Sequence, residues 1–236
     1  MKIGILAAGI TPEPLREHYP TYAQMFTDQI GHIDPQLEFK IFDVRLNEFP
    51  ADCQVCDAWL VTGSKADAYA DEKWILNLCD FIRNIDQQGQ VLVGICFGHQ
   101  IIARALGGKV EKYSGGWGVG VHHYQLAEQV TIPQLSDTKD IAICAFHQDQ
   151  VIEKPSKMQT FLSSEFCPYA GLIYQDRILT FQGHPEFSKT YESDLIKLYE
   201  KTTLPPEVVT KAHQSLAKDD IQNQALMTWI TQFLTA

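Results

Sequence analysis

The stretch Val91-Leu92-Val93-Gly94-Ile95-Cys96-Phe97-Gly98-His99-Gln100 decides how this chain is read. Val91 to Ile95 is an apolar run bounded by Cys96 and suits a buried strand. From Gly98 to Leu106 the spacing becomes helical, and Gly107-Gly108 ends it. Glycines stand two residues before and two residues after Cys96. A sharp strand-to-helix turn needs such small neighbours, because the residue at its tip is held in a strained conformation. The turn lifts the sulfur out at the end of a sheet and sets it at a helix N-terminus, where partial positive charge favours a thiolate. The amide of Phe97 points toward the same spot and suits an oxyanion. A cysteine in an arbitrary context is more often core packing; the flanking glycines and Gln100 give this one a mechanical purpose.

Outward from the turn, strands and helices alternate. Lys2 to Ala8, Leu37 to Val44, Ala58 to Val61 and Gln90 to Ile95 read as strands. Tyr22 to Ile30 reads as a helix, and so does Asp71 to Asp86, where Trp74, Ile75, Leu78, Phe81, Ile82 and Ile85 share one face. This alternation predicts an α/β fold, a mostly parallel central sheet with helices on both faces. Lys109 to Tyr113, Gly118 to Leu126 and Ile141 to Ala145 read as shorter strands, forming a small antiparallel extension or further strands of the sheet. Gly171 to Tyr174 and Arg177 to Phe181 read as a hairpin. From Lys189 onward the pattern is helical, interrupted at Pro205-Pro206.

A thiolate nucleophile needs a base, and the base needs an orienting group. His184-Pro185-Glu186 follows the strand predicted to end at Phe181. In a parallel sheet that end can lie beside the Cys96 turn. His184 would then exchange the proton, and Glu186 would hold its ring and balance its charge.

Gly94-Ile95-Cys96-Phe97-Gly98-His99-Gln100 followed by Gly183-His184-Pro185-Glu186 resembles the class I, triad-type glutamine amidotransferases. Among them it is most similar to stand-alone proteins like the glutaminase domain of GMP synthase. The resemblance runs from Met1 to about Tyr199 and implies a flavodoxin-like sheet. It implies one domain over residues 1–236, with a core at 1–199 and a C-terminal helical extension at 200–236. It also implies hydrolysis of the glutamine γ-amide through a cysteinyl thioester, releasing ammonia, with Cys96, His184 and Glu186 as the triad. Gly63, in Thr62-Gly63-Ser64, falls where the family places the second oxyanion-hole amide beside that of Phe97. Gln100 falls at a glutamine-binding position. His147-Gln148-Asp149 resembles a substrate-facing His-Gly-Asp segment, but Gln148 replaces the usual glycine and Phe146 a common serine. That departure keeps a second substrate class in view, a γ-glutamyl peptide cleaved or transferred by the same triad. A non-catalytic regulator on the same fold is a third reading, opposed by the intact triad. The family chemistry implies no metal and no organic cofactor, and allows a separate synthase protein as partner.

Composition narrows the rest. Lys plus Arg is 19 against 29 for Asp plus Glu, a formal charge of −10. With no basic cluster, nucleic-acid binding is not expected. No stretch approaches the roughly 18 to 20 apolar residues of a membrane span. The apolar start, Met1 to Ala8, is too short for a secretory leader and suits a buried first strand, so a cytoplasmic location is expected. The six cysteines are then expected to be reduced. Cys53 and Cys56 have redox spacing but precede a strand, so no function is assigned to them. His122 and His123, adjacent on a predicted strand, should face opposite ways and not share a metal. Leu226, Trp229, Ile230 and Phe233 form a terminal apolar stripe expected to pack into the core.

Overall fold

The computed structural model describes residues 1–135 and 138–236. Five strands form the parallel part of one sheet: β1 (Lys2–Leu6), β2 (Glu38–Phe42), β3 (Ala58–Val61), β4 (Val91–Ile95) and β11 (Ile178–Phe181). Between β4 and β11 in the chain lie β5 (Lys109–Lys112), β6 (Gly118–Leu126), β7 (Asp140–His147), β8 (Asp149–Glu153), β9 (Gln159–Ser163) and β10 (Gly171–Tyr174). Strands β10, β9, β6 and β7 continue the same sheet antiparallel, giving the order β2-β1-β3-β4-β11-β10-β9-β6-β7. Strands β5 and β8 form a separate two-stranded sheet. The antiparallel part is therefore a four-stranded continuation of the central sheet, with β5 and β8 set apart from it. It also folds back on itself: the carbonyl of Cys144 on β7 accepts the His184 amide at 2.7 Å, just past the end of β11.

The helices are α1 (Tyr22–Ile33), α2 (Lys73–Gln87), α3 (Phe97–Ala105), α4 (Lys189–Tyr199), α5 (Pro206–Lys218) and α6 (Asn223–Leu234). Thr21 and Ser188 start α1 and α4 by accepting the Gln24 and Tyr191 amides. Pro206 at the first position of α5 supplies a helical φ and lacks only an N–H that would have no helical partner. One core layer holds Ile3, Ile5, Leu60, Val93 and Ile95 against α1 and α6. The opposite layer holds Trp59, Leu92 and Ile178 against α2 and α3. The terminal stripe enters the first layer, where Trp229 meets Phe161 and Phe181 edge-on at 5.5 and 5.9 Å. All six cysteines are free and buried. Among the described residues, no helix is long and apolar enough to cross a membrane.

Candidate active site

Cys96 is the residue between β4 and α3, and its backbone has φ 53° and ψ −103°. That left-handed φ costs a residue with a side chain of the order of 1–3 kcal/mol, and the surroundings enforce it. A Cβ on Gly94 would lie 2.6 Å from the Gly98 carbonyl oxygen, and one on Gly98 would lie 2.2 Å from the Val61 carbonyl oxygen. Both glycines let α3 start against the ends of β3 and β4. Phe97 fills the gap on α2, stacked on Trp74 at 5.5 Å. Its amide belongs to the first turn of α3, where amides have no helical acceptor.

The Cys96 amide donates to the Phe181 carbonyl at 2.7 Å, which aligns the tip of the turn with the end of β11. Residues 182–186 therefore leave β11 beside the sulfur. His184 Nδ1 and Glu186 Oε1 are 2.8 Å apart, both side chains buried. The His184 ring lies flat on Phe187 at 4.0 Å, and Gln29 on α1 donates to the Glu186 carbonyl at 2.9 Å. Burial disfavours a charge on His184, but the Glu186 carboxylate and the Cys96 sulfur outweigh it and raise its pKa well above the usual value.

Gly63 is the third wall. A Cβ there would sit 2.9 Å from His184 Cε1 and 3.8 Å from Cys96 Cβ, so this glycine lies directly against the His184 ring and beside the Cys96 side chain. The Thr62 hydroxyl sets its orientation, accepting the Ala8 amide at 3.0 Å and donating to the Gly63 carbonyl at 3.1 Å. The structure thus brings Cys96, His184, Glu186, Gly63 and Phe97 into one site.

Gln100 Nε2 donates to the Asp149 carbonyl at 2.8 Å and to Gln182 Oε1 at 3.1 Å. The amide of this expected substrate-binding residue is thus engaged with protein acceptors. His147 donates from Nδ1 to the Asp149 carbonyl at 3.2 Å, leaving Nε2 buried without a protein partner. Burial, with His122 nearby, pushes its pKa down to about 3, so the ring is a neutral acceptor at Nε2. Gln148 is the half-buried turn between β7 and β8. Its φ is not positive, so the backbone makes no demand for glycine there. His99 of the motif is bound to Thr180 at 2.8 Å and held neutral by burial, with a pKa of about 3. His123 meets Asp140 at 2.6 Å while His122 turns inward toward His147, on opposite faces as expected.

Two buried polar residues near this machinery were not singled out from sequence. Gln182 is wholly buried at the end of β11. Glu192, one turn into α4, is also wholly buried. Its Oε1 accepts the Gly120 amide at 3.1 Å, and its Oε2 has no protein partner. A buried glutamate breaks the polar-outside pattern of an amphipathic helix, which was the one signal available. Burial raises its pKa from 4.5 to about 8. The folded form then holds a proton that the unfolded chain releases, so this contribution to stability is full below pH 4.5 and is lost as pH rises through 8. The expected slope is up to about 1.4 kcal/mol per pH unit. Glu192→Gln keeps the acceptor for Gly120 and should flatten the fall in Tm between pH 5 and pH 8. An unchanged slope would mean that Glu192 does not titrate in that range.

The comparisons with known proteins agree on a family. A family model described as glutamine amidotransferase class-I matches residues 16–198. The Arabidopsis thaliana protein named gamma-glutamyl peptidase 2 is 30% identical, over 94% of this chain and 91% of its own. A Saccharomyces cerevisiae protein named provisionally as a glutamine amidotransferase is 36% identical over 75% of this chain and 74% of its own. The crystal structure of a glutamine amidotransferase from Methylobacillus flagellatus superimposes with a TM-score of 0.77, covering 99% of this chain and 91% of that one at 17% identity.

Proposed function

The chain belongs to the class I glutamine amidotransferase family, and from that premise we propose that it hydrolyses a γ-glutamyl amide bond through a thioester on Cys96. The observation that carries this reading is the position of Gly63, which lies against the His184 ring and beside Cys96 while His184 is held by Glu186.

In the proposed cycle, Cys96 Sγ attacks the γ-carbonyl carbon, and the electron pair of the C=O bond moves to oxygen. The amides of Gly63 and Phe97 receive that oxyanion, a role worth about 3 kcal/mol per donor in comparable sites. The tetrahedral intermediate collapses, its C–N bond breaks, and His184 gives its proton to the departing nitrogen. The imidazole, now neutral, takes a proton from water, whose oxygen attacks the thioester carbon. A second collapse releases the free γ-carboxylate and returns the proton to the sulfur–imidazole pair. Glu186 keeps the ring in one orientation and balances its charge in both half-reactions.

The departing nitrogen distinguishes two substrates. If it carries no carbon, the substrate is glutamine and ammonia leaves, available to a synthase partner. If it belongs to an amino acid, the substrate is a γ-glutamyl peptide. The peptide reading is favoured by the 94% span of the relative named gamma-glutamyl peptidase 2 and by Gln148 at the turn where the family resemblance implies glycine. Purified protein given glutamine and a γ-glutamyl dipeptide in parallel separates them. Release of the C-terminal amino acid in preference to ammonia from glutamine is expected. Glutamine turnover with no dipeptide turnover would reverse the substrate assignment, and no turnover of either would remove the hydrolase reading.

A further inference from the structure

Gln182 touches the sulfur. Its Nε2 lies 3.7 Å from Cys96 Sγ, within hydrogen-bond reach of a sulfur acceptor. A side-chain amide can be placed either way round, so the orientation needs an argument of its own. It comes from the far end of a short relay. The Asp149 carbonyl can only accept, so Gln100 must present its NH2 group there, at 2.8 Å. The same NH2 group lies 3.1 Å from the side chain of Gln182. Gln182 must therefore answer with its carbonyl oxygen, and its own NH2 is left facing Sγ. Turned the other way, two NH2 groups would meet in a site closed to water, and a carbonyl oxygen would face the sulfur.

The backbone fixes the same residue. The Gln182 amide donates to the Ala170 carbonyl at 2.8 Å, and the next residue but one, His184, is tied to Cys144. A Cβ on Gly183 would fall 2.3 Å from Ile143, so the chain between Gln182 and His184 is packed with no room to shift. Two groups from one short segment thus reach the sulfur, the His184 imidazole and an amide that only donates.

We propose that Gln182 is a positioning residue for the nucleophile: its NH2 group, oriented by Gln100 and the Asp149 carbonyl, holds Sγ in place and favours the thiolate. A fixed donor stabilises the charged acceptor over the neutral thiol. The role rests on the reading of Cys96 as nucleophile, but it concerns the sulfur in the resting protein and can be tested without a substrate.

The test is the rate of alkylation of Cys96 by iodoacetamide as a function of pH, read by mass spectrometry of the peptide carrying Cys96. The wild-type chain is compared with Gln182→Met, which keeps length and bulk and removes the donor. The expected result is a rise of about one pH unit in the midpoint and roughly tenfold slower alkylation on the acid limb. A folded Gln182→Met protein with the wild-type midpoint would overturn the proposal. Should that variant fail to fold, Gln100→Met removes the orienting group and leaves Gln182 in place. A smaller shift in the same direction is then expected, and the wild-type midpoint would overturn the proposal. Loosened packing alone admits water to the sulfur, which favours the thiolate and moves the midpoint down, opposite to the expected rise. A wild-type protein that hydrolyses no γ-glutamyl substrate yet shows the shift would retain this role for Gln182 and lose the proposed reaction.

Discussion

Cys96→Ala is expected to lower γ-glutamyl amide hydrolysis by roughly 10⁴- to 10⁶-fold, the loss seen when a nucleophile is removed from a triad that acts as a unit. What remains comes from the Gly63 and Phe97 amides and from substrate binding, which do not need the sulfur. The measurement is initial-rate release of the amine product, wild type against variant, on whichever substrate turns over. Retained turnover would dismiss Cys96 as nucleophile. A second substitution separates chemistry from strain. Alanine at 96 keeps the cost of φ 53°, whereas glycine adopts that backbone freely. Cys96→Gly should be as inactive as Cys96→Ala but melt at a higher temperature, by up to a few degrees for the order of 1 kcal/mol released. Equal melting points would mean that the turn is not strained.

Gly98→Ala should be the most damaging small substitution to the fold. Its Cβ would meet the Val61 carbonyl oxygen at 2.2 Å and carbon at 2.9 Å, both backbone atoms at the end of an interior strand. Neither can swing aside as a flexible side chain would, so α3 must move off β3 or β3 must bend. Overpacking of this kind costs about 3 kcal/mol, which in a chain of this size is roughly 10 °C in Tm. Displacing α3 also displaces the Phe97 amide and the Cys96 turn, so activity should fall together with stability. A thermal melt within a degree or two of wild type would show that the first turn of α3 has room that the backbone contacts deny.

These two sites were legible because their cause is local. A cysteine between two glycines at the join of a strand and a helix reports its turn within five residues. His184 and Glu186 were legible only in combination with that turn. The parallel run of β1, β3 and β4 followed from apolar strands alternating with helical periodicity. Other features depend on contacts that no local pattern carries. Strands β8 and β9 were missed: Asp149-Gln150-Val151-Ile152-Glu153 and Gln159-Thr160-Phe161-Leu162-Ser163 begin and end on polar residues, and each has only a short apolar centre. Two of their pairings, β5 with β8 and β9 with β6, join segments far apart in the chain. The break between α5 and α6 at residues 219–222 also escaped notice, because no proline or glycine marks it. Gln182 reads as an ordinary polar residue at a strand end, and only the neighbouring Cys96 turn makes it a partner of the sulfur. Gln100 was expected at a glutamine-binding position, and the hydrogen bonds of its amide to the Asp149 carbonyl and to Gln182 could not be read from sequence.

The docking of α6 bears on how the protein is made. Its Trp229 rests on Phe181, the residue whose carbonyl fixes the Cys96 amide. A ribosome emits the chain from the N-terminus and shields the most recently added residues in its exit tunnel. While residues 223–234 are still inside, one side of β11 lies open to water and the strand that leads into residues 182–186 lacks its cover. The Cys96 turn, more than a hundred residues upstream, is synthesised long before the helix that covers Phe181.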